Sequence, residues 1–219
     1  MTSPIQESAE SEKLSLFRSV SLTVSRLQDD YLSTSNYSAQ ASARGALANL
    51  RKAGSTKLDN NPMALASVLS VLYSPLSENE IGKSDWLTPS EKALYYSLVS
   101  FAQHMQGATT KAHEPGTRLA RACGRVYAIS ASNSIKPRFD AMLLSRDENS
   151  MAVHLRSLIS LLRNAGLSFD YARFAQDLRV LVRSTKNTAD ELARERVQLR
   201  WSRDFASGTY YDRSSIMVE

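Results

Sequence analysis

Residues 154–178 read HLRSLISLLRNAGLSFDYARFAQDL. The leucines in the first part of this stretch recur at the three- and four-residue steps of one helix face: Leu155, Leu158, Leu161 and Leu162. Gly166 interrupts the pattern, and Phe174 and Leu178 resume it. The stretch therefore predicts two helices separated by a glycine turn.

Helical periodicity extends over most of the chain, and no alternating run of β-branched residues indicates a strand. Thr88 and Glu91 form the pattern of a capping box, and Gly54 is expected to end the second helix in a left-handed conformation. The predicted helices cover residues 12–31, 38–53, 63–73, 88–106, 114–129, 136–145, 149–165, 170–182 and 188–205. The predicted fold class is all-α.

We expect two small helical bundles in series. The small polar run 130–134 is the predicted boundary between an N-terminal bundle (13–132) and a C-terminal four-helix bundle (133–207). The Ser- and Glu-rich extension 1–12 and the segment 208–219 have no apolar period. We expect the first to be disordered and the second to be a flexible tail.

The longest predicted loop, residues 74–87, contains Pro75 and Gly82 and has no helical period. Trp86 lies near its end and is expected to hold the loop against the bundle. A loop of this length is either functional or a linker, and the sequence leaves both interpretations open.

Composition excludes several classes of protein. The chain has 219 residues, 42% of them hydrophobic, which suffices for the core of one large domain or two small ones. No apolar run approaches the roughly 18 residues that cross a bilayer, and the first residues lack an export signal, so we expect no membrane contact and a cytoplasmic location. The single cysteine, Cys123, excludes an intramolecular disulfide and is expected to be a buried thiol.

Sequence motifs of common enzymes are missing. The chain contains no GxGxxG, GxxxxGK[ST], HExxH or GxSxG pattern. His104, His113 and His154 lie on three different predicted segments, so a cluster of metal ligands is not expected, and His154 is expected to be partly buried. The sequence therefore predicts a protein that is not an enzyme and that uses no cofactor or metal.

Net charge is +5, from 27 Lys or Arg and 22 Asp or Glu residues. The excess lies in residues 115–219, which hold 17 basic residues, 15 of them arginine, against 11 acidic residues. Basic residues recur at helical spacing in four sets: Arg44 with Arg51 and Lys52, Arg118 with Arg121 and Arg125, Arg156 with Arg163, and Arg196 with Arg200 and Arg203. Such stripes are typical either of solvated helix faces with ion pairs or of surfaces that bind a polyanion.

The second half also contains short motifs in a fixed order: Arg138-Phe139, His154-Leu155-Arg156, Asp170-Tyr171-Ala172-Arg173, Arg196-Val197, Arg200-Trp201 and Arg203-Asp204-Phe205. This order resembles the CasB family, the small subunit of Cascade, which is the type I-E CRISPR surveillance complex. The good match covers about residues 115–206, and a weaker match runs from Ala43 to Lys52. The loop 74–87 and both termini carry no motif of the family.

The resemblance implies an all-helical, two-bundle, non-catalytic protein that is present as two copies packed head to tail. The implied partners are the backbone and large subunits of Cascade, the guide RNA and the target DNA. Basic surfaces in this family help to hold the displaced, non-target DNA strand after guide and target have paired. Arginine-rich helix faces can do this without reading bases, because phosphate contacts carry no sequence information.

The first-choice phosphate contacts are Arg44, Arg51, Lys52, Arg118, Arg121 and Arg125. Arg44 and Arg51 match the family motif, whereas the helix of Arg118 is selected by charge spacing alone. A second set is either nucleic-acid-binding or structural: Arg138, Arg156, Arg173, Arg196, Arg200 and Arg203. For the first three the possible ion-pair partners are acids such as Asp140, Asp170 or Asp177, and for the last three Glu195 and Asp204 are nearby in the sequence. We expect the contacts to form one continuous basic track, and we assign Trp201 and Phe205 to the core.

Two other functions stay open at this point. Residues 158–182 can be drawn as a helix, a short turn and the recognition helix of a DNA-binding regulator. Two antiparallel helices that fill a core give the same pattern. The protein could also be a helical scaffold whose basic faces bind acidic protein surfaces without contacting nucleic acid.

Overall fold

The structure is a computed structural model that describes residues 14–55, 58, 62–130 and 134–210. Within these residues the chain is helical and has no β-strand, which confirms the predicted all-α fold class. The helices are α1 (Leu16–Leu32), α2 (Tyr37–Ala53), α3 (Pro62–Leu69), α4 (Pro89–His104), α5 (Leu119–Ile129), α6 (Ile135–Leu144), α7 (Glu148–Asn164), α8 (Tyr171–Leu181) and α9 (Thr188–Thr209). The predicted extension 1–12, most of the predicted tail and residues 131–133 of the predicted boundary lie outside the described residues.

Helix α1 begins at Leu16 rather than near residue 12, because the chain before it pairs with the loop 74–87. Leu14 N donates to the Pro75 carbonyl (3.0 Å), and Ser77 N donates to the Leu14 carbonyl (2.9 Å). This parallel bridge keeps Leu14 out of the helix. It also links the start of the described chain to the middle of the sequence.

Two other helices end at positions that the periodicity did not predict. Helix α3 ends at Leu69, short of residue 73, and Tyr73 N donates to the Thr23 hydroxyl on α1 (3.1 Å). Helix α9 runs past residue 205 to Thr209, and Gly208 is buried within this last turn. In both cases a contact with another helix decides where the helix ends.

Helix caps follow the sequence signals with one exception. The capping box of Thr88 and Glu91 is present, and Gly166 after α7 is left-handed, with φ +65°. Gly54 has φ −75°, so the prediction of a left-handed cap is wrong. Glycine is needed there because a Cβ would lie 2.3 Å from Val99 Cγ1 on α4.

A carboxylate, rather than the tryptophan, anchors the loop 74–87. Glu80 accepts a hydrogen bond from the Ser90 hydroxyl and pairs with Arg179 on α8 (3.0 Å). Burial alone would raise the pKa of Glu80, but the bond from Ser90 and the charge of Arg179 lower it below its usual value. Trp86 is 83% exposed, so the prediction that it holds the loop down is wrong.

Helix α4 packs against α2, α7 and α8, while α1 covers α2 and α8. Helix α5 packs along α9, and α6 packs along α7. The buried apolar residues form one connected cluster with members from all the described helices. Cys123, Trp201 and Phe205 belong to this cluster, which confirms their assignment to the core. The division into two bundles stays a prediction, and pairs such as α4 with α8 join the two sides of its proposed boundary.

Helices α5 and α9 are in direct backbone contact at Gly124 and Gly208. A Cβ on Gly124 would lie 2.1 Å from the Phe205 carbonyl oxygen, and a Cβ on Gly208 would lie 2.2 Å from the Arg121 carbonyl oxygen. These obstacles are backbone atoms, which cannot rotate away as a side chain can. Both positions therefore require glycine.

We expect Gly124→Ala to lower the free energy of unfolding by about 2 kcal/mol or more, because the added methyl group collides with backbone. Gly45 on α2 is the matched control, since a Cβ there would have no atom within 4 Å. Gly45→Ala should raise the free energy of unfolding by about 0.5–1 kcal/mol through helix propensity. Urea unfolding curves measure both changes, and a Gly124→Ala protein as stable as the wild type would contradict the helix contact.

Two histidines are buried where α4 and the chain before α5 meet α8. The His104 ring stacks on Phe169, with 5.8 Å between ring centroids, and His104 Nδ1 lies 3.1 Å from the Tyr171 hydroxyl oxygen. Tyr171 N donates to His113 Nδ1 (3.1 Å). Burial, together with the charge of Arg163, lowers the pKa of His104 to about 4. Burial also lowers the pKa of His113.

His104 makes stability depend on pH. Its pKa in the unfolded chain is 6.5, so between that value and about 4 the unfolded state binds a proton that the folded state does not. The contribution of His104 to the free energy of unfolding is therefore fully present above the pKa of the unfolded chain, and it is lost as the pH falls from there towards about 4. From about pH 7.5 to about pH 5.5 the loss from this residue is about 1 kcal/mol, and His104→Gln should remove it. Urea midpoints at the two pH values test this, and an equal pH dependence in both proteins would overturn the assignment.

Candidate nucleic-acid interface

The C-terminal half of α2 carries the first set of candidate phosphate contacts. Arg44 and Lys52 are exposed, and Arg51 is half-buried. Arg51 Nη1 donates to the Ala102 carbonyl near the end of α4 (3.2 Å). This bond uses one of the five N–H donors of the guanidinium group and holds the side chain between the two helices.

Two arginines of α7 reach the same helix ends. Arg156 Nη2 donates to the Gly54 carbonyl (2.8 Å), and Arg163 Nη1 donates to the Gln103 carbonyl (3.4 Å). Carbonyl groups in the last turn of a helix lack partners within the helix and carry the negative end of its dipole, so they attract guanidinium groups. The α2–α7 cluster is defined here as Arg44, Arg51, Lys52, Arg156 and Arg163.

The α2–α7 cluster is not neutralised by carboxylates within the described part of the chain, where none of its members forms an ion pair. Glu148, at the start of α7, pairs with Lys92 (2.5 Å). Arg163 was not among the candidate contacts predicted from the sequence. Its seven-residue spacing from Arg156 is the signal that could have placed it there.

The stripe of Arg118, Arg121 and Arg125 lies beside α9. Arg118 is the N-cap residue of α5, and its Nη1 pairs with Asp204 on α9 (3.3 Å). Arg121 is exposed and Arg125 is half-buried. The α5 sequence itself contains no acidic residue, so the acid that faces Arg118 comes from the helix packed against it.

Helices α8 and α9 contribute alternating arginines and aspartates. Arg200 pairs with Asp177, which also accepts a hydrogen bond from Trp201 Nε1 (2.6 Å). Burial raises the pKa of Asp177, although the bond from Trp201 and the charge of Arg200 act in the opposite direction. Arg173 pairs with Asp170 (3.3 Å), one of the three acids named as possible partners.

Arg196 and Arg203 are exposed and contact no carboxylate among the residues that the structure describes. The α5–α9 cluster is defined here as Arg118, Arg173, Arg196, Arg200 and Arg203. Because Asp170, Asp177 and Asp204 lie between its members, much of its positive charge is cancelled.

Arg138 has a local contact instead of the expected ion pair. Its Nη1 donates to the Ser134 hydroxyl. Asp140, the predicted partner, pairs with Lys136 (2.5 Å), because an i,i+4 spacing places those two side chains on one helix face.

The contacts place most of the candidate arginines in two groups with different partners, and Arg121, Arg125 and Arg138 belong to neither group. Helix α2 packs against α1, α3 and α4, whereas α5 packs against α6, α7 and α9. The first-choice residues Arg51 and Arg118 therefore have different neighbours. Arg51, like Arg156 and Arg163, donates to a carbonyl at the end of α2 or α4, whereas Arg118 pairs with Asp204.

The arrangement favours the core-filling interpretation of α8 over the recognition-helix interpretation. This helix packs against α1, α4 and α9. More than half of its length is buried, including Phe174, Leu178 and Leu181. The exposed part of α8 is a narrow strip that includes Arg173 and Gln176, and Arg173 is paired with Asp170.

Metal and membrane sites are also absent from the described residues. They contain no group of three or more His, Cys, Asp or Glu side chains placed to hold a metal ion. Their helices are too short or too polar to cross a membrane.

A family model described as CRISPR-associated protein Cse2 matches residues 46–205. The chain belongs to the CRISPR-associated Cse2 family. This confirms the resemblance to CasB and extends it from about residue 115 back through α4 and α3 into α2. No match was found among curated proteins.

Two solved structures share the Cse2 fold of the chain. CasB from Thermobifida fusca is 22% identical, with a TM-score of 0.63, over 87% of this chain and 97% of that chain. A Cse2-family, CRISPR-associated protein from Thermus thermophilus is 24% identical, with a TM-score of 0.54, over 88% of this chain and 99% of that chain. Both similarities therefore extend over nearly the whole length of the Cse2 proteins compared.

The contacts of α9 predict different roles for two arginines one turn apart. Arg200→Gln should lower the free energy of unfolding by about 1–2 kcal/mol, because it leaves the mostly buried Asp177 carboxylate without its partner. Arg203→Gln, at an exposed position, should change it by less than about 0.5 kcal/mol. Thermal and urea unfolding of both variants test the difference, and equal effects would contradict a structural role for the Arg200 ion pair.

Proposed function

We propose that the chain is a non-catalytic small subunit of an RNA-guided CRISPR complex of the Cascade type, and that it binds nucleic acid without sequence preference. Its partners in the complex are the backbone and large subunits, a second copy arranged head to tail, the guide RNA and the target DNA. Membership of the Cse2 family supports the assignment to a CRISPR system. The cytoplasm is the compartment in which such a complex meets its target.

The observation that carries the proposal is the α2–α7 cluster. It comprises five cations on two neighbouring sides of α4, and none of them pairs with a carboxylate among the described residues. Bonds to backbone carbonyls position Arg51, Arg156 and Arg163. Because these side chains are already ordered, they lose less conformational entropy when they bind a phosphate.

Such a surface suits the displaced strand of a target duplex. Exchanging a DNA duplex for an RNA–DNA duplex is nearly balanced in free energy, so a modest contribution from protein contacts to the released strand favours the open state. Contacts to phosphates are independent of sequence, as a target that changes with each guide requires. The α5–α9 cluster is the weaker candidate surface, because aspartates offset its arginines.

The proposal predicts that Arg44→Glu combined with Lys52→Glu weakens binding of single-stranded DNA by about tenfold or more at moderate salt. Both side chains are exposed, so the fold should be unaffected. If about five phosphates are engaged in the wild type, log affinity against log salt has a slope of roughly −3.5, and removing two contacts reduces it to roughly −2. Fluorescence anisotropy with a labelled oligonucleotide at several salt concentrations measures both quantities.

Two further double variants carry the same change in net charge. Arg196→Glu with Arg203→Glu alters the α5–α9 cluster, and Lys83→Glu with Lys186→Glu alters exposed positions outside both clusters. The α2–α7 variant should show the largest loss, and the Lys83 and Lys186 variant the smallest. Equal losses would indicate a general charge effect and would remove the α2–α7 cluster as the interface. A wild-type chain that binds no oligonucleotide but captures acidic sister subunits would favour the scaffold function instead.

A further inference from the structure

A cavity opens beside the α2–α7 cluster, between the end of α2 and the facing sides of α4 and α7. Its volume is about 220 Å³. This is smaller than the roughly 300–1,000 Å³ of pockets that enclose drug-sized ligands. Val153, at its rim, is 63% exposed, so the cavity is open to solvent. The space suits one small planar group that enters from the surface.

The lining of the cavity combines apolar walls with a few amide and hydroxyl groups. The apolar part comes from Leu58, Val99, Ala152 and Val153, together with the edges of Tyr95 and Tyr96. The polar part comes from Ser100, Gln103 and Asn149. Apolar walls contact the faces of a flat ring, and amides and hydroxyls can bond to whatever donors and acceptors its edge presents. No particular base is selected by such a mixed set.

Three cations of the cluster lie in the wall of the cavity or bond to backbone next to it. Arg156 lines it directly and bonds to the carbonyl of Gly54, which also lines it. Arg163 bonds to the carbonyl of Gln103, another lining residue. Arg51 bonds to the carbonyl of Ala102, the residue before Gln103. Among the described residues, Glu148 is the acid that contacts a lining residue: it pairs with Lys92, and its carboxylate lies 3.5 Å from the Tyr96 hydroxyl.

We infer that this cavity receives one nucleobase of a single strand whose phosphates lie on the α2–α7 cluster. The inference rests on the proposed function and adds a second kind of contact to it. A nucleotide joins an anionic phosphate to a flat, mostly apolar ring. The surface presents cations for the phosphate and, next to them, an apolar cavity for the ring. Burial of the ring adds affinity that salt does not screen, and it requires an unpaired base, so it distinguishes a single strand from a duplex.

A side chain of a partner protein is the competing occupant. It would account for the apolar walls, but it would not account for Arg156 in the lining or for Arg51 and Arg163, which bond to backbone next to it. If the cavity receives a base, an oligonucleotide with bases binds more tightly than one of equal phosphate number without them. If the cavity receives a protein side chain, the two oligonucleotides bind equally.

The experiment compares an oligothymidine with a length-matched oligonucleotide whose sugars carry no base. The full-length wild-type chain should bind the first about fivefold or more tightly, since burying one base contributes this much or more. Ala152→Leu fills the cavity from α7 without changing charge, and it should abolish the preference while leaving the salt dependence unchanged. Ala189→Leu, at an exposed position in the first turn of α9, is the matched control and should keep the preference.

A second variant guards against misfolding of the first. Val153→Phe lies at the exposed rim and covers the mouth, and it should also abolish the preference. Circular dichroism and urea unfolding establish that each variant is folded.

Each other outcome overturns the inference in an identifiable way. Equal affinity of the wild type for both oligonucleotides means that phosphates alone are bound, so the proposed function survives and the base site does not. A preference that persists in both Ala152→Leu and Val153→Phe places the base contact elsewhere. If the wild type binds neither oligonucleotide, the proposed function fails and the base site fails with it.

Discussion

The fold depends on one steric constraint, which is that α5 and α9 meet backbone to backbone. Gly124 and Gly208 leave no space for a Cβ on either helix. This contact turns the buried face of α9 inward, so that Trp201 and Phe205 fill the core, and it brings Asp204 to Arg118. The directions in which the remaining arginines of α9 point follow from the same contact.

Arginine has two uses in this protein, and spacing along a helix does not separate them. Arg200 contributes to packing by pairing with a mostly buried aspartate, whereas Arg203, one turn away, is exposed. At the ends of α2 and α4, guanidinium groups bond to carbonyls that would otherwise lack partners. This second arrangement serves the fold and presents positive charge at the same time, which is why the basic surface with the fewest acids lies there.

Local features of the structure could be predicted from the sequence, and contacts between distant segments could not. Apolar periodicity located the helices, and the capping box at Thr88 followed from three neighbouring residues. The start of α1, the reason for glycine at position 54 and the exposure of Trp86 depend on partners far away in the chain. The histidines divide in the same way: His154 is half-buried, as predicted, whereas His104 and His113, which carried no distinctive pattern, are buried beside Tyr171. For the candidate site, the sequence supplied Arg44, Arg51 and Lys52, but the grouping with Arg156 and Arg163 required the packing of α4 against α7.

The packing of α1 against α8 has a consequence for synthesis on the ribosome. The apolar face of α1 is translated long before α8, yet α8 contributes one of the two main surfaces that cover it. Gln28 on α1 also waits for a later segment, because it exchanges a pair of hydrogen bonds with His113 across 85 positions. Domains close only after their distant segments are available. The nascent chain therefore keeps α1 partly uncovered for most of its synthesis, and a truncated product lacking α8 would be a substrate for chaperones and proteases rather than a smaller folded protein.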